Sequence, residues 1–205
     1  MGCSAGSIGA QIWSGTILNA LKWKTAAVVP DSYAGVFPPG SQGPLIYGYG
    51  MCTVAPLFLS DDLVEKCWNQ ELTFQDMMEE IIVSAPRVPF SYVQSKEDDV
   101  QQSFYVAIGL TTNTSASITP SEFYYKVNEI FGLYNKESNF LSYLVDGPQH
   151  CFTPTDVFYS ADAKGPHDDG QTNEDEMLYS WYLKTHNFIS IPVVTSSSVF
   201  VLISL

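Results

Sequence analysis

Hydrophobic positions along the chain follow two different periods, one helical and one strand-like. In residues 6–22 and 74–85, apolar side chains recur at helical spacing, which is typical of a helix that packs one face against a core. Residues 25–29, 88–94 and 139–145 are short apolar or alternating runs bounded by turn residues, which are typical of strands. This alternation predicts an α/β fold with a mostly parallel sheet flanked by helices.

Two helix start signals indicate where individual helices begin. Thr73 has the properties of an N-cap, and Asp76 stands at the third helical position after it. Thr119-Pro120-Ser121-Glu122 combines an N-cap, a proline at the first helical position and a capping glutamate. We therefore expect helices over 74–85 and 120–134, and weaker patterns predict further helices over 61–67, 100–110 and 177–184.

Two other segments have no regular period. Residues 35–56 are rich in Gly, Pro and Tyr, so the sequence predicts a long loop or lid there. Aromatic residues over 37–49 could stack on sugar rings, although in such loops they more often pin the loop to the core. Residues 188–205 form an apolar, Ser-rich tail that is just long enough to span a bilayer, but Pro192 and the lack of a basic flank argue against that role.

Composition limits the classes of function. The chain has 205 residues, of which 45% are hydrophobic, so it is long enough to form one domain with a core. Nine Lys and Arg against 22 Asp and Glu give a formal charge of −13, which argues against binding to nucleic acid phosphates or other polyanions. Four cysteines are too few to define a disulfide scaffold, and no signal peptide is recognisable, so composition leaves the compartment open.

The first residues carry the strongest chemical motif in the chain. Gly2-Cys3-Ser4-Ala5-Gly6 has the form G-x-S-x-G, a strand-to-helix turn that lifts a serine hydroxyl above a parallel sheet. The helical pattern after Ser4 is the context that this motif requires, and we expect Gly6 and Gly9 to let the helix pack closely on the sheet. The leading hypothesis is a nucleophilic serine, and the alternative is an ordinary Gly/Ser-rich terminal segment.

Three residues could form a catalytic triad. A nucleophilic serine needs a base within hydrogen-bond reach and a carboxylate that orients the base. Ser4, Asp98 and His150 have the chain order Ser, Asp, His of α/β-hydrolases, and the last two follow predicted strands. Spacing alone does not separate Asp98 from its neighbour Asp99.

The acidic segment 165–176 does not match an EF-hand, so we expect no calcium site there.

Asp31 and Ser32 are further candidates because they follow the predicted strand over 25–29. A position after a parallel strand lies at the edge of the sheet where α/β proteins place their ligands. Asp and Ser also favour ordinary turns through local hydrogen bonds, and that alternative stays open.

These motifs resemble those of the pectin acetylesterase/Notum family of carboxylesterases. The pentapeptide around Ser4 is similar to the family's nucleophile motif, and Asp31-Ser32 is similar to its Asp-Ser pair after the next strand. Residues 95–101 resemble the acid-bearing segment of bacterial members, and residues 140–159 resemble the histidine segment. Trp181 matches a tryptophan near the family's C-terminal helix, so the resemblance covers most of the chain.

The resemblance implies an α/β-hydrolase-like fold and a serine esterase without a metal or organic cofactor. In that mechanism His150 accepts the proton of Ser4, Asp98 orients His150, and the Ala5 backbone N–H stabilises the oxyanion. The implied substrate is an acylated carbohydrate or another small ester, most simply an acetyl ester, and the alternative is the lipid ester of a protein. Asp31 and Ser32 would line the site.

The resemblance also bears on the cysteines. It implies a disulfide between Cys52 and Cys67, where the family has paired-looking cysteines. Cys3 and Cys151, each beside a triad residue, are expected to be packing residues.

The chain departs from the family pattern at both ends. The strands and glycine-rich loop that precede the family's nucleophile are absent, so we expect residues 1–187 to be a partial catalytic domain of low activity from a secreted parent protein. The tail over 188–205 has no counterpart. Two other classes therefore remain open, a non-catalytic glycan-binding module that uses the aromatic residues over 37–49 and a membrane-associated protein anchored by the tail.

Overall fold

The fold is seen in a computed structural model that describes residues 1–114 and 116–155. Within these residues, four parallel strands form one sheet in the order β1-β2-β3-β4, and helices occupy every connection between strands. The strands are β1 (Gly2–Cys3), β2 (Pro30–Asp31), β3 (Phe90–Ser95) and β4 (Phe140–Val145). The helices are α1 (Ala5–Ala20), α2 (Gln42–Gly48), α3 (Met51–Val54), α4 (Asp61–Trp68), α5 (Phe74–Ser84), α6 (Asp99–Thr111) and α7 (Pro120–Tyr134), with a 3₁₀ turn over Ala55–Leu57. The chain thus has an α/β fold.

The order of the strands brings four loops to one edge of the sheet. β3 and β4 pair over their whole length, from Phe90 opposite Phe140 to Ser95 opposite Val145. β1 and β2 pair over only two residues each, and Asp31 of β2 lies opposite Val93 of β3. Because all the strands are parallel, the loops that leave their carboxyl ends meet at the same edge.

The main core lies where α5 and α7 pack against aromatic residues of the sheet. Tyr92 of β3 is 2% exposed, and its ring packs against Phe131 of α7 and Phe140 of β4. Complete burial of one large apolar side chain contributes roughly 1.5–3 kcal/mol, so these contacts fix the helices on the sheet. Other members of this cluster are Met77, Met78, Ile81 and Ile82 of α5 and Phe123 and Val127 of α7.

A smaller cluster contains Val93, the neighbour of Tyr92 on β3. Because successive side chains of a strand point to opposite faces, Val93 and Tyr92 belong to different clusters. Val93 packs with Val29 and with Phe152, which follows β4. Phe152 therefore holds the segment after β4 against the sheet.

Both helix start signals are confirmed. The Thr73 side chain accepts a hydrogen bond from the Asp76 amide, and the Asp76 carboxylate accepts one from the Thr73 amide in return. Thr119 and Glu122 form the same reciprocal pair, and Pro120 is the first residue of α7. These pairs satisfy backbone N–H groups that have no partner inside the helix.

The segment over 35–56 differs from the predicted lid. It contains α2, α3 and the 3₁₀ turn, and their buried residues are Gly43, Ile46, Cys52 and Ala55. A Cβ atom on Gly43 would overlap the Gln70 carbonyl, so this glycine permits close packing rather than flexibility. The elements are too short to produce a recognisable helical period, which explains the wrong prediction.

Two smaller differences concern the ends of the fold. β2 covers Pro30–Asp31 rather than 25–29, because within that run only Val28 and Val29 contact the sheet, Val28 through a bridge to Phe90 and Val29 through a bond from the Gly2 amide. The predicted helix over 177–184, the domain boundary at 187 and the tail over 188–205 lie outside the described residues. None of the described helices combines the length and the apolar character that crossing a membrane requires.

Candidate active site

The site lies at the edge of the sheet where the strands end. Ser4 directly follows β1, Ser32 directly follows β2, and Asp98 and His150 lie on the loops after β3 and β4. Three of the five described non-glycine residues with positive φ lie here, namely Ser4, Ser32 and Cys151. Strained backbone persists only where the surrounding structure holds it, and it often marks functional sites.

Ser4 occupies the sharp turn between β1 and α1. Its φ of 55° and ψ of −122° are unfavourable for a serine, and its side chain does not cap the helix that it precedes. A Cβ atom on Gly2 would overlap the Gly6 carbonyl, so the turn requires a glycine at Gly2. The expectation for Gly6 and Gly9 was wrong, because a Cβ atom at either position would contact nothing within 4 Å.

Ala5 begins α1 and is exposed. The first amide groups of a helix have no partner within the helix, and the N-terminus carries partial positive charge. The residue after a G-x-S-x-G serine donates its amide to the oxyanion in α/β-hydrolases. Ala5 therefore has the position and the exposure that such a donor requires.

His150 and Asp98 are in direct contact across the ends of β3 and β4. The Nδ1 atom of His150 lies 3.0 Å from Oδ1 and 2.9 Å from Oδ2 of Asp98. Asp98 is completely buried, whereas Asp99 is exposed in the first turn of α6. A carboxylate at Nδ1 leaves Nε2 as the nitrogen that can accept a proton.

Two glutamine side chains hold the Asp98 carboxylate. Asp98 is the N-cap of α6, and its Oδ1 accepts a hydrogen bond of 2.9 Å from the Gln101 amide. The Gln101 side chain donates to Oδ2 at 2.7 Å and to Gln94 at 2.9 Å, and it accepts from the Ala34 amide. A buried carboxylate is stable only when such donors replace water, so this network fixes the charge that faces His150.

The second nitrogen of His150 is available. Nε2 is buried and has no hydrogen-bond partner among the described residues. An unpartnered polar atom in a buried position needs an explanation. A catalytic base whose hydrogen bond to the nucleophile is long without substrate provides one.

A disulfide joins the two ends of the candidate triad. Cys3, directly before Ser4, is bonded to Cys151, directly after His150, and their Cα atoms are 5.6 Å apart. The expectation that these cysteines are packing residues was therefore wrong. They meet because the segment after β4 lies against the end of β2, the strand that pairs with β1, and no local sequence pattern reveals this proximity.

The Cys52–Cys67 disulfide that the resemblance implies is present. It links α3 to α4 with a Cα separation of 5.5 Å, and both residues are buried. With both pairs formed, the described residues contain no free cysteine. Two disulfides in one domain are typical of proteins that fold in an oxidising compartment.

Cys3, Cys151 and His150 form the one group of metal-ligand residues found in the described part of the chain. A ring nitrogen of His150 and the two sulfur atoms lie within 4.8 Å of one another. Zinc binds cysteine as thiolate, and both sulfur atoms are committed to the disulfide. The group in this form is therefore unsuited to hold zinc.

Asp31 and Ser32, proposed from sequence to line the site, are buried rather than open to a ligand. Asp31 accepts hydrogen bonds from the amides of Phe152 and Thr153, and Ser32 accepts one from the Cys151 amide. Their side chains therefore contact the backbone that follows His150.

Comparisons of the chain with protein-family models, curated proteins and solved structures find no match. The proposal below therefore depends on the fold and on the contacts of the candidate site.

Sequence analysis did not identify Gln94 and Gln101 as residues that support Asp98. A glutamine three residues after Asp98 is nevertheless a recognisable helix-start signal.

Proposed function

We propose that this protein is a serine carboxylesterase with an α/β-hydrolase-like fold, as members of the pectin acetylesterase/Notum family are. The observation that carries the proposal is the contact of His150 with the buried Asp98, linked through Cys3–Cys151 to a serine in a strained strand-to-helix turn. A nucleophile, a base and an orienting acid on loops after parallel strands are the parts that acyl transfer needs.

In the first half of the reaction, Ser4 is acylated. Nε2 of His150 accepts the proton of the Ser4 hydroxyl as Oγ attacks the carbonyl carbon of the ester. The Ala5 amide stabilises the oxyanion of the tetrahedral intermediate, a contact whose removal typically costs about 10²- to 10³-fold in turnover. The intermediate then breaks its bond to the alcohol, which leaves with the proton from His150.

In the second half, water regenerates the enzyme. His150 accepts a proton from a water molecule as that water attacks the acyl-Ser4 carbonyl, and then returns the proton to Ser4 Oγ. The products are a carboxylic acid and free Ser4. Throughout the cycle Asp98 keeps the proton of the neutral ring on Nδ1 and stabilises the imidazolium that forms.

The proposed substrate is an acetyl ester on a carbohydrate. The formal charge of −13 disfavours a polyanionic substrate such as a fully de-esterified polyuronate, and it leaves neutral acetylated segments acceptable. The two disulfides agree with a secreted or extracellular location, which we propose for this protein.

The experiment that tests this function is hydrolysis of p-nitrophenyl acetate. We expect the wild-type protein to release p-nitrophenol above the rate of buffer, and Ser4→Ala and His150→Ala to reduce the rate to background. Ser14→Ala is the matched control, because Ser14 is a buried serine of α1 whose hydroxyl bonds the Gln11 carbonyl. Equal rates for wild type and Ser4→Ala would overturn the proposal.

A further inference from the structure

Asp31 is a completely buried carboxylate that forms four hydrogen bonds. Its Oδ2 accepts from the Phe152 amide at 2.9 Å and from the amide and hydroxyl of Thr153 at 2.7 Å each. Its Oδ1 accepts from the Ser32 hydroxyl at 2.8 Å. No salt bridge to Asp31 occurs in the described residues. Burying a charge is costly unless hydrogen bonds replace its hydration, and the four donors around Asp31 do so.

Ser32 extends the same network to the residue beside His150. Its hydroxyl donates to Asp31 and accepts from the Cys151 amide at 2.9 Å. Its φ of 55° is unfavourable for serine, and its amide bonds the Val93 carbonyl of β3 at 2.8 Å. The bond to β3 therefore holds Ser32 where its hydroxyl can accept the Cys151 amide.

Together, the two side chains bind three consecutive backbone amides, those of Cys151, Phe152 and Thr153. This segment begins directly after His150 and has no regular secondary structure of its own, so these bonds, the packing of Phe152 and the Cys3–Cys151 disulfide together hold it in place. A shift of about 1 Å in a catalytic group can cost about 10²-fold in rate. Asp98 orients the imidazole ring, but the position of the ring also depends on the backbone that carries it.

We infer that Asp31 and Ser32 are positioning residues for His150. They act on the reaction through the backbone of residues 151–153 and make no contact with the substrate. The inference rests on the proposed function in that it assigns His150 the role of catalytic base. It replaces the earlier expectation that these two residues line the substrate site.

The test uses variants with little change in volume: Asp31→Asn removes the charge and one of the two acceptor oxygens, and Ser32→Ala removes the hydroxyl. Asp31→Asn and Ser32→Ala are compared with wild type for kcat and KM on p-nitrophenyl acetate. We expect kcat to fall about 10- to 100-fold, since the base is displaced, while KM changes less than about twofold. Ser32→Gly removes the same hydroxyl but suits a φ of 55°, so it keeps the turn folded and should show the same loss.

A spectroscopic measurement separates positioning from general stabilisation. The low-field proton resonance of the Nδ1–H in the His150–Asp98 pair reports on that contact in the folded protein. We expect this resonance to shift or to broaden in Asp31→Asn and in both Ser32 variants. Ser14→Ala and Asp76→Asn are matched controls, because they alter a buried hydroxyl and a hydrogen-bonded carboxylate in α1 and α5. Both should leave the resonance and kcat unchanged.

The outcomes separate this inference from the proposed function. Loss of stability in the Asp31 and Ser32 variants with unchanged kcat and an unchanged resonance would overturn the positioning role. If wild type and Ser4→Ala hydrolyse the ester equally, the proposed function fails, and the resonance still reports whether Asp31 and Ser32 hold the ring. A changed KM at constant kcat would overturn the inference in favour of a substrate-lining role.

Discussion

At the scale of single residues, neighbours in the sequence have very different environments. Asp98 and Asp99 are adjacent, yet Asp98 is buried against His150 and Asp99 is exposed on α6. Sequence spacing left both open because the distinction depends on where β3 ends and on how Gln101 folds back over the carboxylate. Which of the two aspartates can contact His150 therefore depends on tertiary contacts.

The two aspartates allow a matched pair of substitutions. We expect Asp98→Asn to lower kcat by up to about 10⁴-fold, because an amide no longer favours the correct tautomer of His150. Asp99→Asn should stay within about twofold of wild type. The measurement is kcat on p-nitrophenyl acetate, with circular dichroism as the control for folding. An equal loss in the two variants would contradict the assignment of Asp98.

At the scale of elements, the strongest local signals were the most reliable. The helix starts at residues 74 and 120 could be predicted because capping boxes are local patterns of side chain and backbone. The three short elements between residues 42 and 57 could not, because their residues are held by the Cys52–Cys67 disulfide and by burial of Ile46 and Ala55. Where tertiary contacts stabilise an element, its sequence need not carry a period.

The cap of α5 predicts a pH dependence of stability. Partial burial raises the pKa of Asp76, but hydrogen bonds from Thr73 and Lys66 outweigh it, so the net pKa lies below its ordinary value. A carboxyl whose pKa is lower in the folded state stabilises the fold above its unfolded-state pKa. That contribution is lost as the pH falls through the folded-state pKa. Urea unfolding should therefore show that wild type is more stable than Asp76→Asn near neutral pH, and that the difference shrinks in acid. A constant difference at all pH values would contradict the cap's role.

At the scale of the whole molecule, the site depends on contacts between distant parts of the chain. Cys3 and Cys151 are 148 residues apart, and they join the loop of the candidate nucleophile to that of the candidate base. Sequence order could predict that the loops carrying Ser4, Asp98 and His150 leave the same edge of a parallel sheet. It could not predict this covalent link or the bonds from Asp31 and Ser32, because both depend on the relative placement of β1, β2 and β4.

The two disulfides should therefore have different effects when removed. Cys52→Ser with Cys67→Ser opens a short loop, so we expect the free energy of unfolding to fall by about 3 kcal/mol while kcat is unchanged. Cys3→Ser with Cys151→Ser should lower kcat, since Ser4 and His150 lose the bond that ties their loops together. Chemical denaturation and ester hydrolysis of both double variants make the comparison. An unchanged kcat in the Cys3→Ser, Cys151→Ser variant would contradict this expectation. It would show that the hydrogen bonds of Asp31 and Ser32 are sufficient to position His150.

As the proposed nucleophile, Ser4 should be activated in the folded protein. The most direct measurement is labelling of the folded protein by a fluorophosphonate, with the modified residue located by mass spectrometry of peptides. We expect one adduct per chain, located on Ser4, with no adduct in Ser4→Ala and much slower labelling in His150→Ala. Ser14→Ala should be labelled at the wild-type rate. A folded wild-type protein that remains unlabelled, or that is labelled at another residue, would contradict the account.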